Sequence, residues 1–225
     1  MNLTFISDTH NKHGSIPKDL LIGGDIIFHS GDISSRGYVH EVENFLHWYS
    51  SLDNYKYKVL IAGNHDFLFE DSPQKAKSIL EKYPNVIYLQ DSGIEIQGLN
   101  IWGSPWQPEF YNWAFNLPRK GVELLDKWKM IPGNCDILLT HGPPKGILDK
   151  APDGFLCGCE ILYDEIIQYI NPKVHAFGHI HCGYGIQEHE GTHFINASSL
   201  SEEYKYANKP INIKIDEEKK VSIIQ

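Results

Sequence analysis

The sequence predicts an α/β protein in which layers of sheet and helix share a buried core. The first observation is a series of short apolar segments, each ending in a cluster of small or polar residues. The second is a set of amphipathic segments between them, and the third is a C-terminal part in which apolar and polar residues alternate. Near-continuous apolar runs are typical of strands buried on both faces. Such strands alternating with helices, before a β-rich end, indicate a layered α/β fold.

The predicted strands extend along the whole chain. Buried strands are expected over residues 3–7, 25–29, 59–62, 101–102, 137–140 and 174–177. Near the C-terminus, residues 185–195 and 211–224 alternate in polarity, which predicts antiparallel strands. The second of these segments would turn at residues 216–220.

Four helices are expected between these strands. The first is indicated by apolar residues at helical spacing, namely Val42, Phe45, Leu46 and Tyr49. The second would follow Ser72 as its cap, begin at Pro73 and run to about residue 83. Residues 121–130 and 160–170 follow the same pattern, and Asn171-Pro172 would end the last helix.

Length and composition exclude several classes of protein. The 225 residues are expected to form one domain over residues 1–225, with 41% hydrophobic and 22% charged residues. The net charge of −9 argues against a partner that is an extended nucleic acid. No apolar run is long enough to cross a membrane, and no basic leader precedes the first strand. These features predict a cytoplasmic protein with reduced cysteines and no membrane partner, and they leave the oligomeric state open.

Histidine is unusually frequent, with 12 residues, and several histidines follow predicted strands. Open α/β sheets bind ligands beyond the carboxyl ends of their strands. Carboxylate, amide and imidazole groups follow five of the predicted strands: Asp8, His10, Asp32, Asn64, His65, His141, His179 and His181. The repetition at separate strand ends predicts a shared ligand site rather than unrelated loop residues.

The chemistry of these side chains indicates metal binding. With His65 set aside, they offer nitrogen and oxygen ligands without sulfur, which suits Mn, Fe, Zn, Co or Ni better than Ca, Mg or Cu(I). Seven ligands with one bridging carboxylate would complete two sites of four protein ligands each. Two ions about 3.5–4 Å apart form a clamp for in-line displacement at phosphorus.

The motifs that contain these residues occur in a defined order. They are Asp8-Thr9-His10, Gly31-Asp32, Gly63-Asn64-His65-Asp66, Thr140-His141 and Gly178-His179-Ile180-His181. Together they resemble the signature of the calcineurin-like metallophosphoesterases. Further segments, Gly103-Ser104-Pro105-Trp106, the run from Ala114 to Arg119 and Asn196-Ala197-Ser198 among them, are similar to the small metallophosphoesterase-domain subfamily. Animal members of that subfamily are metal-dependent phosphodiesterases that act on cyclic nucleotides.

This resemblance implies a four-layer α/β/β/α sandwich of two mixed sheets, with two metal ions at the strand ends. By the same resemblance, the first metal would be held by Asp8, His10, Asp32 and His181. The second metal would be held by Asp32, Asn64, His141 and His179. Asp32 would therefore bridge the ions, for which Mn is the first expectation.

The resemblance also implies roles in catalysis. A hydroxide that bridges the two cations would attack phosphorus in line. His65 would face the phosphoryl group and protonate the leaving oxygen. Many relatives carry a second acid, which orients this histidine, at the position of Ser35. Either Ser35 or Asp66 takes over that support, or His65 is less well tuned than in those relatives. Arg36 and Trp106 are the expected substrate-binding residues, through phosphate contact and base stacking respectively. The aromatic stretch from Trp106 to Phe115 is expected either to be a loop packed by its own rings or to form a wall beside the site.

The sequence thus predicts a metal-dependent phosphoric ester hydrolase for small phosphodiesters, with cyclic nucleotides as the favoured substrates. A phosphomonoesterase acting on nucleotides or phosphoproteins is the alternative, because both reactions use the same attack on phosphorus. A nuclease is disfavoured by the net charge of −9. A metal-binding interaction protein with little turnover is disfavoured because all the predicted ligands and His65 are present.

Overall fold

The computed structural model describes residues 1–224, which form two six-stranded sheets and flanking helices. The strands are β1 (Asn2–Ile6), β2 (Gly24–Ser30), β3 (Tyr55–Ile61), β4 (Val86–Tyr88), β5 (Ser92–Ile96), β6 (Leu99–Ser104), β7 (Gln107–Pro108), β8 (Asn116–Leu117), β9 (Ile137–Thr140), β10 (Val174–Phe177), β11 (Gly185–His189), β12 (Thr192–Asn196), β13 (Ile211–Ile215) and β14 (Val221–Ile224). The helices are α1 (Val39–Ser50), α2 (Phe67–Asp71), α3 (Pro73–Leu80), α4 (Val122–Lys129) and α5 (Glu160–Glu165).

Both large sheets are mixed. The first has the strand order β14-β13-β1-β2-β3-β4, and the second has the order β11-β12-β10-β9-β6-β5. The strands β1 to β4 pair in parallel, as do β6, β9, β10 and β12, whereas β13, β14, β11 and β5 add antiparallel edges. The carboxyl ends of the parallel strands therefore meet at one edge of each sheet. These two edges are joined where Ser7, after β1, pairs in parallel with Ser198, after β12.

The alternation of side chains along each strand produces four layers. Phe5 and Phe28 point into the core between the sheets, where their rings stack with centroids 4.9 Å apart. Ile6 and Ile27, on the other face of the first sheet, pack against α1 and α3. Leu138 on the second sheet packs against α4 and α5 in the same way. The predicted α/β/β/α sandwich of two mixed sheets is confirmed.

The helices α3, α4 and α5 begin at or within one residue of their predicted starts, whereas the short helix α2 was not predicted. The Glu41 carboxylate accepts hydrogen bonds from the backbone N–H groups of Tyr38 and Arg36, which satisfies free donors at the start of α1. Pro73 opens α3, but this helix ends at Leu80, before the predicted residue 83. The chain turns at residues 81–83, before Pro84, which disfavours helical backbone in the residue preceding it. After α5 the chain continues as a π-helical turn over Ile166–Ile170.

None of the helices in residues 1–224 has both the length and the apolar surface that crossing a bilayer requires. The four cysteines are free thiols, of which Cys135 and Cys159 are buried and Cys182 is exposed.

The core between the sheets yields a test of the layered packing. Phe28→Ala removes a fully buried ring and should lower the free energy of unfolding by about 3–5 kcal/mol, through lost burial and a residual cavity. Ile223→Ala, on a side chain that is 54% exposed, is the matched control and should change it by less than about 0.5 kcal/mol. Urea unfolding followed by circular dichroism measures both. Equal losses in the two variants would contradict the assigned core.

Candidate metal centre

The strand ends of both sheets converge on one buried cluster. Backbone hydrogen bonds from Asp8 N–H to the Gly31 carbonyl and from His10 N–H to the Asp32 carbonyl, each 3.0 Å, join the loops after β1 and β2. In the second sheet, the N–H of Gly178 donates to the His141 carbonyl at 2.9 Å. The loops that carry the polar motifs are therefore connected to each other as well as to their strands.

Two groups of side chains have the spacing of metal ligands. Asp8, His10 and His181 form one group, and their ligand atoms lie within 4.8 Å of one another. Asp32, His141 and His179 form the other group at the same spacing. A third group, His10, Asp32 and His65, overlaps the first two.

Asp32 lies between the groups. Its Oδ2 atom is 3.4 Å from His141 Nε2, 3.6 Å from His10 Nε2 and 4.0 Å from His65 Nε2. The amide oxygen of Asn64 is 2.9 Å from His141 Nε2. The structure thus brings all seven predicted ligand residues together, and Asp32 is the member with neighbours on both sides.

Backbone carbonyls orient two of the histidines. The Nδ1–H of His141 donates to the Ser30 carbonyl at 2.9 Å, and that of His181 donates to the Ser201 carbonyl at 3.0 Å. With Nδ1 carrying the hydrogen, Nε2 is the atom with a lone pair, and it faces Asp32 in one case and Asp8 in the other. This arrangement is typical of metal-binding histidines, whose second nitrogen is held by a carbonyl or carboxylate.

His10 is the residue that tests whether a metal fits. The side chain is buried, and neither ring nitrogen has a hydrogen-bond partner among residues 1–224. A buried polar atom without a partner is unfavourable by about 1–3 kcal/mol. Burial also lowers the pKa of His10 to about 4, so the ring is neutral and offers a lone pair. A cation between His10 and the neighbouring carboxylates would satisfy this ring, and the nitrogen and oxygen donors suit a transition metal.

The electrostatics of the cluster also favour a cation. Burial would raise the pKa of Asp32, but His141 and His65 outweigh it and hold that pKa well below its usual value. Burial would likewise raise the pKa of Asp8, but His181 keeps it below its usual value. In return, Asp32 raises the pKa of His141 to about 9, and Asp8 raises that of His181 to about 9, although burial lowers both. Two buried anions thus create a negative field that attracts positive charge.

The backbone of the cluster is strained. Asp8, Asp32 and His179 have φ angles of 51°, 55° and 67°, in the left-handed region that costs an L-residue about 1–2 kcal/mol. At Gly178, a Cβ atom would overlap the Asp8 carboxylate, so only glycine permits this approach. Strain of this kind is found at sites where surrounding contacts fix a functional geometry.

His65 is held at the edge of the cluster. The Nδ1–H of its ring donates to the backbone carbonyl of Ser35 at 2.8 Å, and its backbone N–H donates to Asp32 Oδ1 at 2.8 Å. Ser35 therefore supports the ring, which was one of the alternatives predicted. The contact is made by its backbone carbonyl rather than by its side-chain hydroxyl. The alternative support by Asp66 is wrong. Its carboxylate accepts hydrogen bonds from the backbone of Ile33, Ser34 and Gly63 and from the Ser34 hydroxyl.

The cluster opens into a cavity of about 480 Å³. Its lining includes an aromatic wall of Phe110, Tyr111 and Trp113, together with Pro143 and Pro152. Three aromatic residues of the predicted stretch therefore line the cavity, whereas Trp106, at the start of that stretch, does not.

Trp106 and Arg36 do not line this cavity. The indole Nε1–H of Trp106 donates to Asp91 at 2.8 Å, and its ring packs edge-on against Phe115, so the position of Trp106 does not support its predicted role in substrate binding. The exposed Arg36 guanidinium lies 4.9 Å from the centre of the Trp113 ring, not beside the metal cluster. The prediction that Arg36 binds phosphate is likewise not supported by its position.

Two residues near the C-terminus contact the cluster and were missed as functional residues. The Ser198 hydroxyl is 2.8 Å from Asp8 Oδ2 and 2.9 Å from Asn196 Oδ1, and its single hydrogen can go to either. The Tyr204 ring lies edge-on to His10 and His181, with centroid distances of 4.9 and 5.4 Å. The motif Asn196-Ala197-Ser198 was a signal for the first residue. No pattern in the sequence marks Tyr204.

Comparison with known proteins relates the whole arrangement to one family. The calcineurin-like phosphoesterase family matches residues 1–183. Metallophosphoesterase domain-containing protein 1 of Homo sapiens is 42% identical over 229 aligned residues, which cover 92% of this chain and 69% of that protein. A 3′,5′-cyclic-nucleotide phosphodiesterase of Nostoc is 26% identical over 202 residues, covering 86% of this chain and 68% of that protein.

Solved structures share the fold at low sequence identity. The protein TT1561 of Thermus thermophilus superimposes with a TM-score of 0.63 at 15% identity, over 87% of this chain and 88% of that one. An archaeal phosphodiesterase gives a TM-score of 0.51 at 15% identity, over 100% and 99% of the two chains. These likenesses establish the two-sheet architecture independently of the local geometry.

The position of Asp32 leads to a prediction about metal content. Asp32→Asn removes the negative charge between the two ligand groups, so the purified protein should lose most of its bound metal, measured by elemental analysis, and its hydrolytic activity. Its circular dichroism spectrum should be preserved. Asp136→Asn is the matched control, because Asp136 is also a buried carboxylate but pairs with Lys219 outside the cluster. Full metal content and activity in Asp32→Asn would refute the bridging assignment.

Proposed function

Because this chain belongs to the calcineurin-like phosphoesterase family, whose members are metal-dependent phosphoester hydrolases, we propose that it hydrolyses small phosphodiesters, with 3′,5′-cyclic nucleotides as the substrate class. The proposed metal ions are two Mn²⁺ ions. The proposed catalytic unit is one domain over residues 1–225. The single observation that carries the proposal is the Asp32 carboxylate, which lies between imidazoles delivered by both sheets and lines the cavity.

Seven residues would hold the metal ions. Asp8, His10 and His181 would hold one ion, His141, His179 and Asn64 would hold the other, and Asp32 would contact both. Ions bound in such a pair lower the pKa of a water molecule to about 7 and neutralise charge on phosphoryl oxygens. The carbonyls of Ser30 and Ser201 keep the Nε2 atoms of His141 and His181 directed at the carboxylates. The ligand set is therefore oriented before substrate binds, which favours catalysis because no reorganisation is needed.

His65 is the proposed general acid. Its Nδ1–H is held by the Ser35 carbonyl, so Nε2 is the atom that faces the cavity side of Asp32. A proton delivered from Nε2 to the leaving oxygen would prevent a free alkoxide from forming. General acid catalysis of this kind contributes about 10²–10⁴ to the rate. The Ser35 carbonyl stabilises the ring while Nε2 is protonated, which is the task that a second acid has in many relatives.

The cavity favours a diester over a monoester. A volume of about 480 Å³ has room for groups on both sides of a phosphorus atom, and Phe110 and Tyr111 on the aromatic wall offer ring faces for a base. A cyclic nucleotide is a small diester with these features. The name of the Nostoc relative supports the same substrate class.

The first prediction of this proposal concerns the type of ester. With Mn²⁺ added, the protein should cleave bis-p-nitrophenyl phosphate with a higher kcat/KM than p-nitrophenyl phosphate, and excess chelator should abolish both reactions. Mn²⁺-dependent release of the nucleoside monophosphate from a 3′,5′-cyclic nucleotide, measured by chromatography, should follow. The Asp32→Asn protein is the control for contaminating hydrolases. A preference for the monoester would replace the proposal with a phosphomonoesterase.

The second prediction concerns His65. His65→Ala should keep its bound metal and lower kcat about 10²-fold or more for a cyclic nucleotide, whose alkoxide leaving group needs a proton. The loss should be smaller for bis-p-nitrophenyl phosphate, because p-nitrophenolate is a stable leaving group. Steady-state kinetics on both substrates, together with elemental analysis of the variant, measure this difference. Equal losses for the two leaving groups would argue against a general acid.

A further inference from the structure

Trp113 covers one face of His65. The two rings are stacked, with centroids 4.0 Å apart and an angle of 30° between their planes. On another side, His10 approaches the same imidazole edge-on, with centroids 4.6 Å apart and an angle of 81°. His65 is therefore confined between an indole face and a second imidazole.

Arg36 extends this stack outward. Its guanidinium carbon lies 4.9 Å from the centre of the Trp113 ring, a geometry that attracts a cation to the face of an aromatic ring. Arg36 is also the neighbour of Ser35, whose carbonyl binds His65 Nδ1–H. Two consecutive residues thus hold His65 in two ways, one directly and the other through Trp113.

The backbone around Trp113 is fixed to the same loops. The N–H of Ala114 donates to the carbonyl of Asn64 at 3.1 Å, and the N–H of Phe115 donates to the Glu70 carboxylate at 2.9 Å. These bonds connect the aromatic loop to the segment that carries both a candidate metal ligand and His65. The position of the indole is therefore tied to that of the imidazole through the main chain.

We propose that Trp113, held by Arg36, is the positioning residue that keeps the His65 ring in its proton-transfer orientation. The hydrogen bond to Ser35 fixes one ring nitrogen but leaves the plane of the imidazole free to tilt about that bond. The indole face blocks this tilt and keeps Nε2 directed toward Asp32. The inference rests on the proposed function, in which His65 acts on the leaving oxygen.

Kinetics in two backgrounds test this role. Trp113→Ala should lower kcat for a cyclic nucleotide about 10- to 100-fold, since small misplacements of a catalytic group have effects of this size, with little change in KM. As in His65→Ala, the loss should be smaller for bis-p-nitrophenyl phosphate. In the His65→Ala background, Trp113→Ala should have no further effect on kcat, because the group that it positions is absent. Trp113→Phe should restore most of the activity.

Matched controls separate positioning from other roles of an aromatic side chain. Tyr111 also lines the cavity, but its ring packs against Phe110 rather than His65. Tyr111→Ala should therefore act equally in the two backgrounds. Arg36→Gln should produce a smaller version of the Trp113→Ala effect, again only when His65 is present. An equal loss from Trp113→Ala in both backgrounds, or a raised KM at unchanged kcat, would overturn the proposal.

A spectroscopic measurement tests the stack without turnover. In the protein loaded with diamagnetic Zn²⁺, the His65 Nδ1–H bonded to Ser35 should give a slowly exchanging NMR signal, assigned by its loss in His65→Ala. Trp113→Ala should broaden or remove this signal, and Trp113→Phe should retain it. A sharp signal in Trp113→Ala that exchanges with water as slowly as in the unsubstituted protein would overturn the positioning role even if no phosphoester were cleaved. A normal signal pattern with no diester turnover would instead refute the proposed function alone.

Discussion

The buried negative charge of Asp32 is the constraint on which the rest of this structure depends. A carboxylate removed from water is strongly unfavourable unless it is paired and hydrogen-bonded. Here Oδ2 faces imidazoles from the loops after β1, β3 and β9, while Oδ1 accepts the N–H of His65. The partners of one side chain thus come from both sheets. The two sheets must therefore keep their carboxyl edges together for this charge to be tolerated.

The same constraint explains the unfavourable backbone at the strand ends. The left-handed conformations of Asp8, Asp32 and His179 occur two residues after the ends of β1, β2 and β10, where the chain places these side chains in the ligand groups. Gly178 permits the Asp8 carboxylate to approach the other sheet. Packing of the layered core stabilises the strands, and part of that stability offsets the strain at their ends. The backbone hydrogen bonds between these loops keep the strained residues in place. They also prevent the side chains of each ligand group from separating.

The fold and the ligand set could be predicted to different depths. The strands with apolar runs and the convergence of the seven candidate ligands were predicted because strand ends converge in any parallel sheet, whatever path the loops take. β4 and β5 were missed because they are edge strands with half-buried, mixed side chains, and their pattern is not distinct. Trp106 and Trp113 could not be distinguished by composition. Pairing of β7 with β8 turns Trp106 and Phe115 inward, whereas the loop between these strands carries Trp113 to His65.

The division between strand ends and loops also separates chemistry from specificity. The groups that can hold metal ions lie on strand ends. The carbonyls of Ser30 and Ser201 orient two of them, and that of Ser35 orients His65, and no side-chain substitution removes these carbonyls. The walls of the cavity come instead from loops around residues 107–113, 142–157 and 202–204. Residues 202–204 lie beyond the part of the chain that matches the family. Changes in these loops can alter the group bound beside the phosphorus without moving a ligand.

Trp113 is the exception, because it belongs to a wall loop but contacts His65. A change of specificity at this position would therefore also disturb His65, the proposed proton donor, which restricts that part of the aromatic wall to residues that can stack on an imidazole.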